Sequence, residues 1–291
     1  MKEGRPSRTA LKVAHILLIA SHDPELRDGI PEGAGPLTER LLLASKVPPY
    51  GPWLLGAARK PWTRRMSARA ERRTPGAYTG LVERKRFMNE QVLAALEAGA
   101  TQVCLVGAGF DTLCLRLAPR YPDRRFFELD HPATGAAKAR GLAEVGKPAN
   151  LEQLLVDLGA RPLEQVLAEH PSWDTGATSV FVAEGLFMYL SRPQVSAFFR
   201  QCAASSGPRS RLAFSHLLDL DRTGPLAKLA LSLMGEPWLS DLPLGEVEAF
   251  AAGLGWRMLA QYPADPRALE GFAAVEKHSA QNAGSHLESG G

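Results

Sequence analysis

The sequence predicts an α/β fold: a doubly wound, mostly parallel seven-stranded sheet with a helical N-terminal lid. Three observations predict it. From Gln102 onward, short apolar runs alternate with helical segments. The first of those runs ends in a glycine turn, Gly107-Ala108-Gly109. Residues 1 to about 98, by contrast, lack strand-like alternation and are rich in Pro, Gly and Arg. At 291 residues the chain is near the size at which one core stops growing, which favours one elaborated α/β domain over two.

The N-terminal helical stretches are Ala10–Ala20, Leu37–Ala44 and Leu81–Glu97. The last carries Val82, Phe87, Val92, Leu93 and Leu96 at roughly helical spacing. The first strand is Gln102–Val106, and the helix after Asp111 must stop before Pro119, which cannot continue it. The second strand is Arg125–Leu129, followed by Pro132 in the first turn of a helix. Strands three and four fall at Leu154–Val156 and Ser179–Ala183. After a helix at Gln194–Ala204 comes a fifth strand, Arg211–Ser215, then a polar, proline-broken insertion at residues 219–243. A helix at Glu246–Ala252 and the runs Trp256–Gln261 and Phe272–Glu276 close the sheet. The expected plan is a lid or substrate cap over residues 1–98 and a core over residues 99–278, with the 219–243 insertion as a second lid. The polar, glycine-rich tail 279–291 should fray.

Hydrophobic residues make up 45% of the chain and charged residues 22%, the balance of a soluble globular protein. Three cysteines (Cys104, Cys114, Cys202) include no C-x-x-C pair, so a disulfide framework and a structural zinc are not expected. They read as small buried hydrophobes in a reducing compartment. No apolar run reaches the roughly 20 residues a membrane helix needs. Val13–Ala20 resembles a signal-peptide core, but His15 interrupts it and Lys12 abuts it. An amphipathic helix, a cytoplasmic location and no membrane partner are the expectation. Charge is unevenly placed: ten bases less two acids give +8 between Arg59 and Arg86, leaving −5 for the rest of a chain of net charge +3. Such a run suggests an anionic partner, a nucleic-acid backbone or an acidic small molecule, or else a solvated arginine-rich helix face.

In a doubly wound sheet, ligands bind beyond the carboxyl ends of the strands, where the strand order reverses. Gly107 and Gly109 would let the backbone turn tightly and approach a ligand. A dinucleotide loop would place a third glycine at position 112, where this chain has Thr112, and Asp111 would repel a pyrophosphate. Asp130 lies 21 residues after Gly109, the spacing of an acid that accepts ribose hydroxyls; a helix cap ahead of Pro132 is the alternative, and the glycine loop favours ribose. Glu128 shares its side of the strand through the period of two. Asp157, after the third strand, could accept an exocyclic amine of adenine or simply close its loop. Glu184, after the fourth, would project into the cleft, where a buried carboxylate calls for a cation. Four acids about one cleft (Asp111, Asp130, Asp157, Glu184) suit an uncharged nucleoside attached to a positive centre. S-adenosyl-L-methionine has that form.

The segments Gln102–Leu113, Phe126–Thr134 and Ala183–Leu190 together resemble the leucine carboxyl methyltransferase-like family, which also contains polyketide and other small-molecule O-methyltransferases. The resemblance spans about residues 80–220, and its motifs fall in order at strand ends. It implies a class I methyltransferase (Rossmann-like) fold and S-adenosyl-L-methionine as cofactor. It also implies that Arg84 holds the methionine carboxylate and that Gly107 lines the methionine portion. By the same carry-over Asp130 binds ribose, Asp157 and Leu158 bind adenine, and Glu184 lies near the amino group.

Methyl transfer from a sulfonium needs an in-line nucleophile and little else. A carboxylate acceptor is already ionised, whereas a phenol would benefit from a base. His216, Tyr189 and His131 are the candidates for a base or orienting group, His216 and Tyr189 being preferred as catalytic residues. Trp62, Met66, Tyr78 and Trp238 are candidate pocket walls. The expected activity is O-methylation of a small, acidic carboxylate or hydroxyl acceptor, with secondary metabolism as the setting. The alternatives are an RNA methyltransferase recruited by the Arg59–Arg86 segment and a cofactor-binding protein without catalysis.

Overall fold

The structure, a computed structural model, describes residues 4–221, 224, 236–262 and 269–278. Most of the 219–243 insertion and the whole 279–291 tail therefore lie outside the described residues. Five helices precede the sheet: α1 (Arg8–Ser21), α2 (Ala34–Ser45), α3 (Pro52–Ala57), α4 (Pro61–Arg73) and α5 (Thr79–Glu97). The alternating part then runs β1 (Gln102–Val106), α6 (Leu113–Leu117), β2 (Arg125–Asp130), α7 (Pro132–Val145), β3 (Leu151–Leu155), α8 (Leu163–Ala168), β4 (Ser179–Ala183), α9 (Arg192–Ala204) and β5 (Arg211–Leu217). It closes with α10 (Leu244–Ala252), β6 (Trp256–Tyr262) and β7 (Glu270–Lys277).

Among the described residues seven strands form one sheet in the order β3-β2-β1-β4-β5-β7-β6. Strands β1 to β5 are parallel, and β7 runs antiparallel between β5 and β6. This is the mostly parallel, doubly wound sheet that the alternation predicts. Its inner strands are buried on both faces, so they read as nearly continuous apolar runs. Alternate side chains divide cleanly. Val103, Leu105, Phe126, Val180, Val182 and Ala213 pack with α1, α2, α5, α6 and α7 in one layer. Cys104, Val106, Phe127, Phe181, Leu212 and Phe214 pack with α8, α9 and α10 in the other, where Phe187, Phe199, Phe214 and Trp256 form an aromatic cluster.

The N-terminal hundred residues are thus continuous with the core. Leu11, Leu18, Leu41, Phe87, Met88 and Val92 share one apolar cluster with the sheet, so the segment expected as a cap forms much of one helical layer. Two of its helices escape the apolar pattern, α3 because it has only 6 residues and α4 because it buries only Thr63 and Ser67. Their signal is Pro52 and Pro61, each in a first turn. Strand β3 begins three residues earlier than expected, since the polar pair Glu152 and Gln153 of this half-buried edge strand hides its start. The cysteines are buried and free, and burial pushes their thiols up.

Strand order reverses between β1 and β4, so the crevice for a ligand lies beyond their carboxyl ends. Beneath it Lys138 of α7 and Glu128 of β2, each 1% exposed at the side chain, are joined at 2.7 Å. Lys138 Nζ also donates to the Asp111 carbonyl at 2.6 Å, tying α7 to the loop after β1. Glu128, expected to face the crevice, is instead the counter-ion of this pair. Burial pushes its carboxyl above the usual range, against the pull of Lys138. Removing one partner strands the other charge. Lys138→Met should therefore lower stability by about 3–5 kcal/mol in chemical denaturation. The double variant Lys138→Met/Glu128→Leu should recover most of that loss.

Candidate functional site

Helix α5 packs across β4, β5 and β7, and its buried Val82, Phe87 and Met88 fix its rotation. That rotation brings Arg84 and Lys85 to the strand ends. Arg84 Nε donates to Glu184 Oε1 at 3.0 Å, and its Nη1 pairs with Glu270 at the start of β7. Lys85 Nζ lies 2.8 Å from the same Glu184 oxygen and pairs with Asp111. The result is a chain of alternating charge, Glu270–Arg84–Glu184–Lys85–Asp111, with three acids against two bases. The side chains of Arg84, Lys85, Asp111 and Glu184 are each at most 11% exposed. Glu184 Oε2 is buried without a hydrogen-bond partner. The cluster therefore holds one surplus negative charge and one unused carboxylate oxygen, and it can accept a cation.

The backbone loops around this chain are held close. Gly107 has φ +71° and Gly185 φ +64°, values that favour glycine. A Cβ on Gly107 would stand 3.3 Å from Leu186, so the loops after β1 and β4 are in contact. The Gly185 N–H donates to Ser215 Oγ of β5 at 2.8 Å, which orients the turn carrying Glu184. Asp111 Oδ1 accepts the Leu113 N–H at 2.6 Å. Burial alone would raise the Asp111 carboxyl, but the Lys85 charge and hydrogen bond, with help from Lys138 and Leu113, hold it well below the usual carboxylate range. Burial likewise works against the Lys85 ammonium, and Asp111 and Glu184 overcome it and raise it.

Asp130 ends β2, where its carboxylate accepts the Gly109 N–H and, at 2.7 Å, the His131 N–H. It thereby couples the glycine loop to the second strand end, and burial pushes its carboxyl up against those two bonds. His131, not Asp130, caps α7, accepting from the Ala133 N–H at 3.3 Å. The Val156 N–H donates to the Asp130 carbonyl at 2.9 Å, setting the loop of Asp157 and Leu158 beside it. Asp157 is exposed and accepts from the Gly159 N–H at 2.9 Å, and Leu158 is half-buried against the second apolar layer. The start of α1 leans over the loop after β1. The Ser7 N–H donates to Thr134 Oγ1 at 2.9 Å, and a Cβ on Gly109 would meet the Ala10 methyl at 3.0 Å.

Two expectations need correction. His216 is 1% exposed: its Nδ1–H donates to the Leu242 carbonyl at 2.6 Å, its Nε2 is buried without a partner, and its ring fills the space left by Gly271 across β5 and β7. On this strand it points into the aromatic layer with Leu212 and Phe214, so the period of two turns it away from the Ser215 side that meets Gly185. Burial lowers its pKa, against two backbone hydrogen bonds. Trp62 and Met66 are not pocket walls but surface residues of α4, while Tyr78 and Trp238 are half-buried. Tyr189 sits beside Trp238 and Thr9, and burial pushes its phenol up, so it stays protonated at neutral pH. The described end of the insertion packs onto it: Thr9 pairs with Glu236, and the Leu239 N–H donates to the Met188 carbonyl at 2.7 Å.

Residue-by-residue reading missed Lys85, Glu270 and Lys138 as members of the site. The Arg84-Lys85-Arg86 run was a visible signal for Lys85. Glu270 gave none, because it arrives from the last, antiparallel strand.

The leucine carboxyl methyltransferase family pattern matches residues 34–203. The chain belongs to the leucine carboxyl methyltransferase family. A relative from Mycobacterium avium (strain 104) is 30% identical over 203 residues, 67% of this chain and 68% of its own. One from Streptomyces coelicolor is 29% identical over 195 residues, 64% of this chain and 65% of its own. Both are named, by inference, as S-adenosyl-L-methionine-dependent methyltransferases. The chain spans 59% to 65% of the length of several curated relatives it matches. A crystal structure of a protein assigned by inference as a methyltransferase, from Thermobifida fusca, superposes with a TM-score of 0.56 at 20% identity, covering 88% of this chain and 98% of that one. A duf574 family protein from Streptomyces avermitilis gives 0.57 at 14% identity, covering 82% and 97%. These similarities establish the class I methyltransferase fold. None of these names mentions RNA, which leaves the RNA alternative unsupported. Of the basic run, Arg84 and Lys85 are internal and Arg59 and Arg64 pair with Glu39 and Glu25, while Arg65, Arg69, Arg72 and Arg73 are exposed.

The pairing of Asp111 has a pH signature. Its folded-state pKa is depressed, so the stability it contributes is present above the ordinary value of about 3.9 and lost as pH falls below it. Thermal melting of the wild type should fall steeply in that acid range. Asp111→Asn should melt lower at neutral pH and show a shallower acid slope.

Proposed function

We propose that this chain is an S-adenosyl-L-methionine-dependent O-methyltransferase acting on a small acidic acceptor. One observation carries the reading: the buried carboxylate of Glu184, with one oxygen left without a hydrogen-bond partner, at the point where strand order reverses, beside a glycine loop and a second strand ending in an acid. A cationic nucleoside is the ligand that such a set accommodates, and a pyrophosphate is one that it repels. Glu184 would hold the amino group. Asp130 retains lone pairs for two ribose hydroxyls after taking its two backbone N–H groups, and Gly107 allows close approach of the methionine portion. Asp157 and Leu158 would border adenine. Arg84 orients Glu184 in this structure, and a free carboxylate of the ligand would compete with Glu270 for it.

When bound, the cofactor supplies a sulfonium methyl, an electrophile that needs only an aligned nucleophile. The protein's part is to bind, align and keep out water. A carboxylate acceptor fits this chain better than a phenol. Tyr189 is held protonated, His131 caps a helix, and the His216 nitrogens are sealed in the core. Each thus lacks the exposed, unprotonated atom that a base must present. Exposed bases of the Arg59–Arg86 segment, such as Arg65, Arg69, Arg72 and Arg73, would favour the approach of an anion. The described end of the insertion and the start of α1 are the candidates for a lid over the acceptor.

Calorimetry on Asp130→Ala should show cofactor affinity reduced about tenfold or more, the scale of a lost hydrogen bond to a charged group. Unchanged affinity would remove Asp130 from the ribose site. With labelled cofactor, carboxylate acceptors should take up methyl at a rate independent of pH between about 6 and 9, while any phenol should react faster as it ionises. Transfer confined to phenols with a bell-shaped profile would defeat the carboxylate reading.

A further inference from the structure

We infer that Lys85 is an internal cation that occupies the ligand's cation subsite when no ligand is present and must leave for the ligand to bind. The inference rests on the cofactor reading above and adds a competitor residue to it. Lys85 Nζ bridges Asp111 and Glu184, two of the carboxylates placed to receive a positive ligand. It shares Glu184 Oε1 with Arg84, so that carboxylate is neutralised from one side by the chain itself. The two groups differ in how firmly they are anchored. Arg84 is clamped between Glu184 and Glu270 by a planar fork. Lys85 is a point charge on a flexible four-carbon stem, one residue further round α5, and can swing away without moving the helix.

Local repulsion between cations on one carboxylate, rather than the net count, calls for such a movement. The five-member chain carries a surplus of one negative charge with Lys85 in place. A ligand bearing both an ammonium and a sulfonium brings two positive charges against one carboxylate of its own, a net +1 that equals the surplus, so the conflict lies in where the charges meet and not in their sum. With Lys85 fixed, its ammonium would face that ligand's positive groups across the same Glu184 carboxylate, and like charges at contact distance repel by kilocalories where water is excluded. With Lys85 displaced, Asp111 and Glu184 are released together, and the ligand takes over the pairing. Lys85 thus keeps the two acids paired in the ligand-free fold, and it weakens affinity by the amount of that pairing. It acts on charged ligands selectively, because an uncharged nucleoside needs neither acid.

The test uses Lys85→Met, with S-adenosyl-L-methionine and adenosine as probes in calorimetry. The variant should melt at a lower temperature without ligand and bind S-adenosyl-L-methionine roughly tenfold more tightly, while adenosine affinity is unchanged. Weaker or equal binding of S-adenosyl-L-methionine, or an equal change for both probes, overturns the inference. If the wild type binds neither probe, the cofactor reading itself fails. Should Lys85→Met not fold, the wild type still decides the matter through its own lysine chemistry. Reductive methylation with formaldehyde, mapped by mass spectrometry, should modify Lys85 slowly in the ligand-free protein. Modification should be several-fold faster with saturating S-adenosyl-L-methionine, and a rate that does not rise overturns the inference.

Discussion

A buried carboxylate is tolerated only when something positive answers it, and Glu184 sets that condition at the strand ends of this protein. Its position after β4 is dictated by the sheet, and the answer comes from a helix that precedes the sheet in the chain. Arg84 and Lys85 can reach it only because α5 lies across β4, β5 and β7 with its apolar face down. Glu270 and Asp111 then balance the two bases from opposite sides. The N-terminal helical region is thereby bound to the core twice over, by apolar burial along α5 and by charge at its start.

The same charges explain why fold and ligand site cannot be separated. Below the crevice, Lys138 and Glu128 form a buried ion pair whose lysine also pins the Asp111 carbonyl. Above it, the five-member chain is left one charge short of neutrality. The buried pair ties elements of the fold together, whereas the unbalanced chain is the place where the proposed function puts a cationic ligand. The glycine loop lies between the two, with Asp111 taking part in both.

Much of the site was legible because it is local. Gly107, Asp111, Asp130, Asp157 and Glu184 each lie at the carboxyl end of a strand or within five residues of it, and in a parallel sheet every strand end faces the same crevice. Their convergence therefore needs only the order of elements. His216 misled for a related reason. It too lies near a strand end, but the period of two turns it into the aromatic layer, and a one-residue difference in phase cannot be judged without knowing which face each helix covers. Glu128 failed in the same way, since only the position of α7 reveals Lys138 as its partner. The arginine-rich helix α4 was invisible to apolar periodicity because it buries hydroxyl side chains in place of aliphatic ones.

By itself the sequence determined the succession of strands and helices, the glycine turn and the acids at the carboxyl ends, because these depend on short-range geometry that neighbouring residues enforce. Only the tertiary structure decided which charge faces which. Pairing between Arg84 and Glu184, 100 positions apart, or between Arg84 and Glu270, 186 apart, depends on how layers stack and where the antiparallel β7 inserts. Coulomb energies in a water-poor interior change steeply over a few ångströms, and no local pattern of residues encodes distances of that kind.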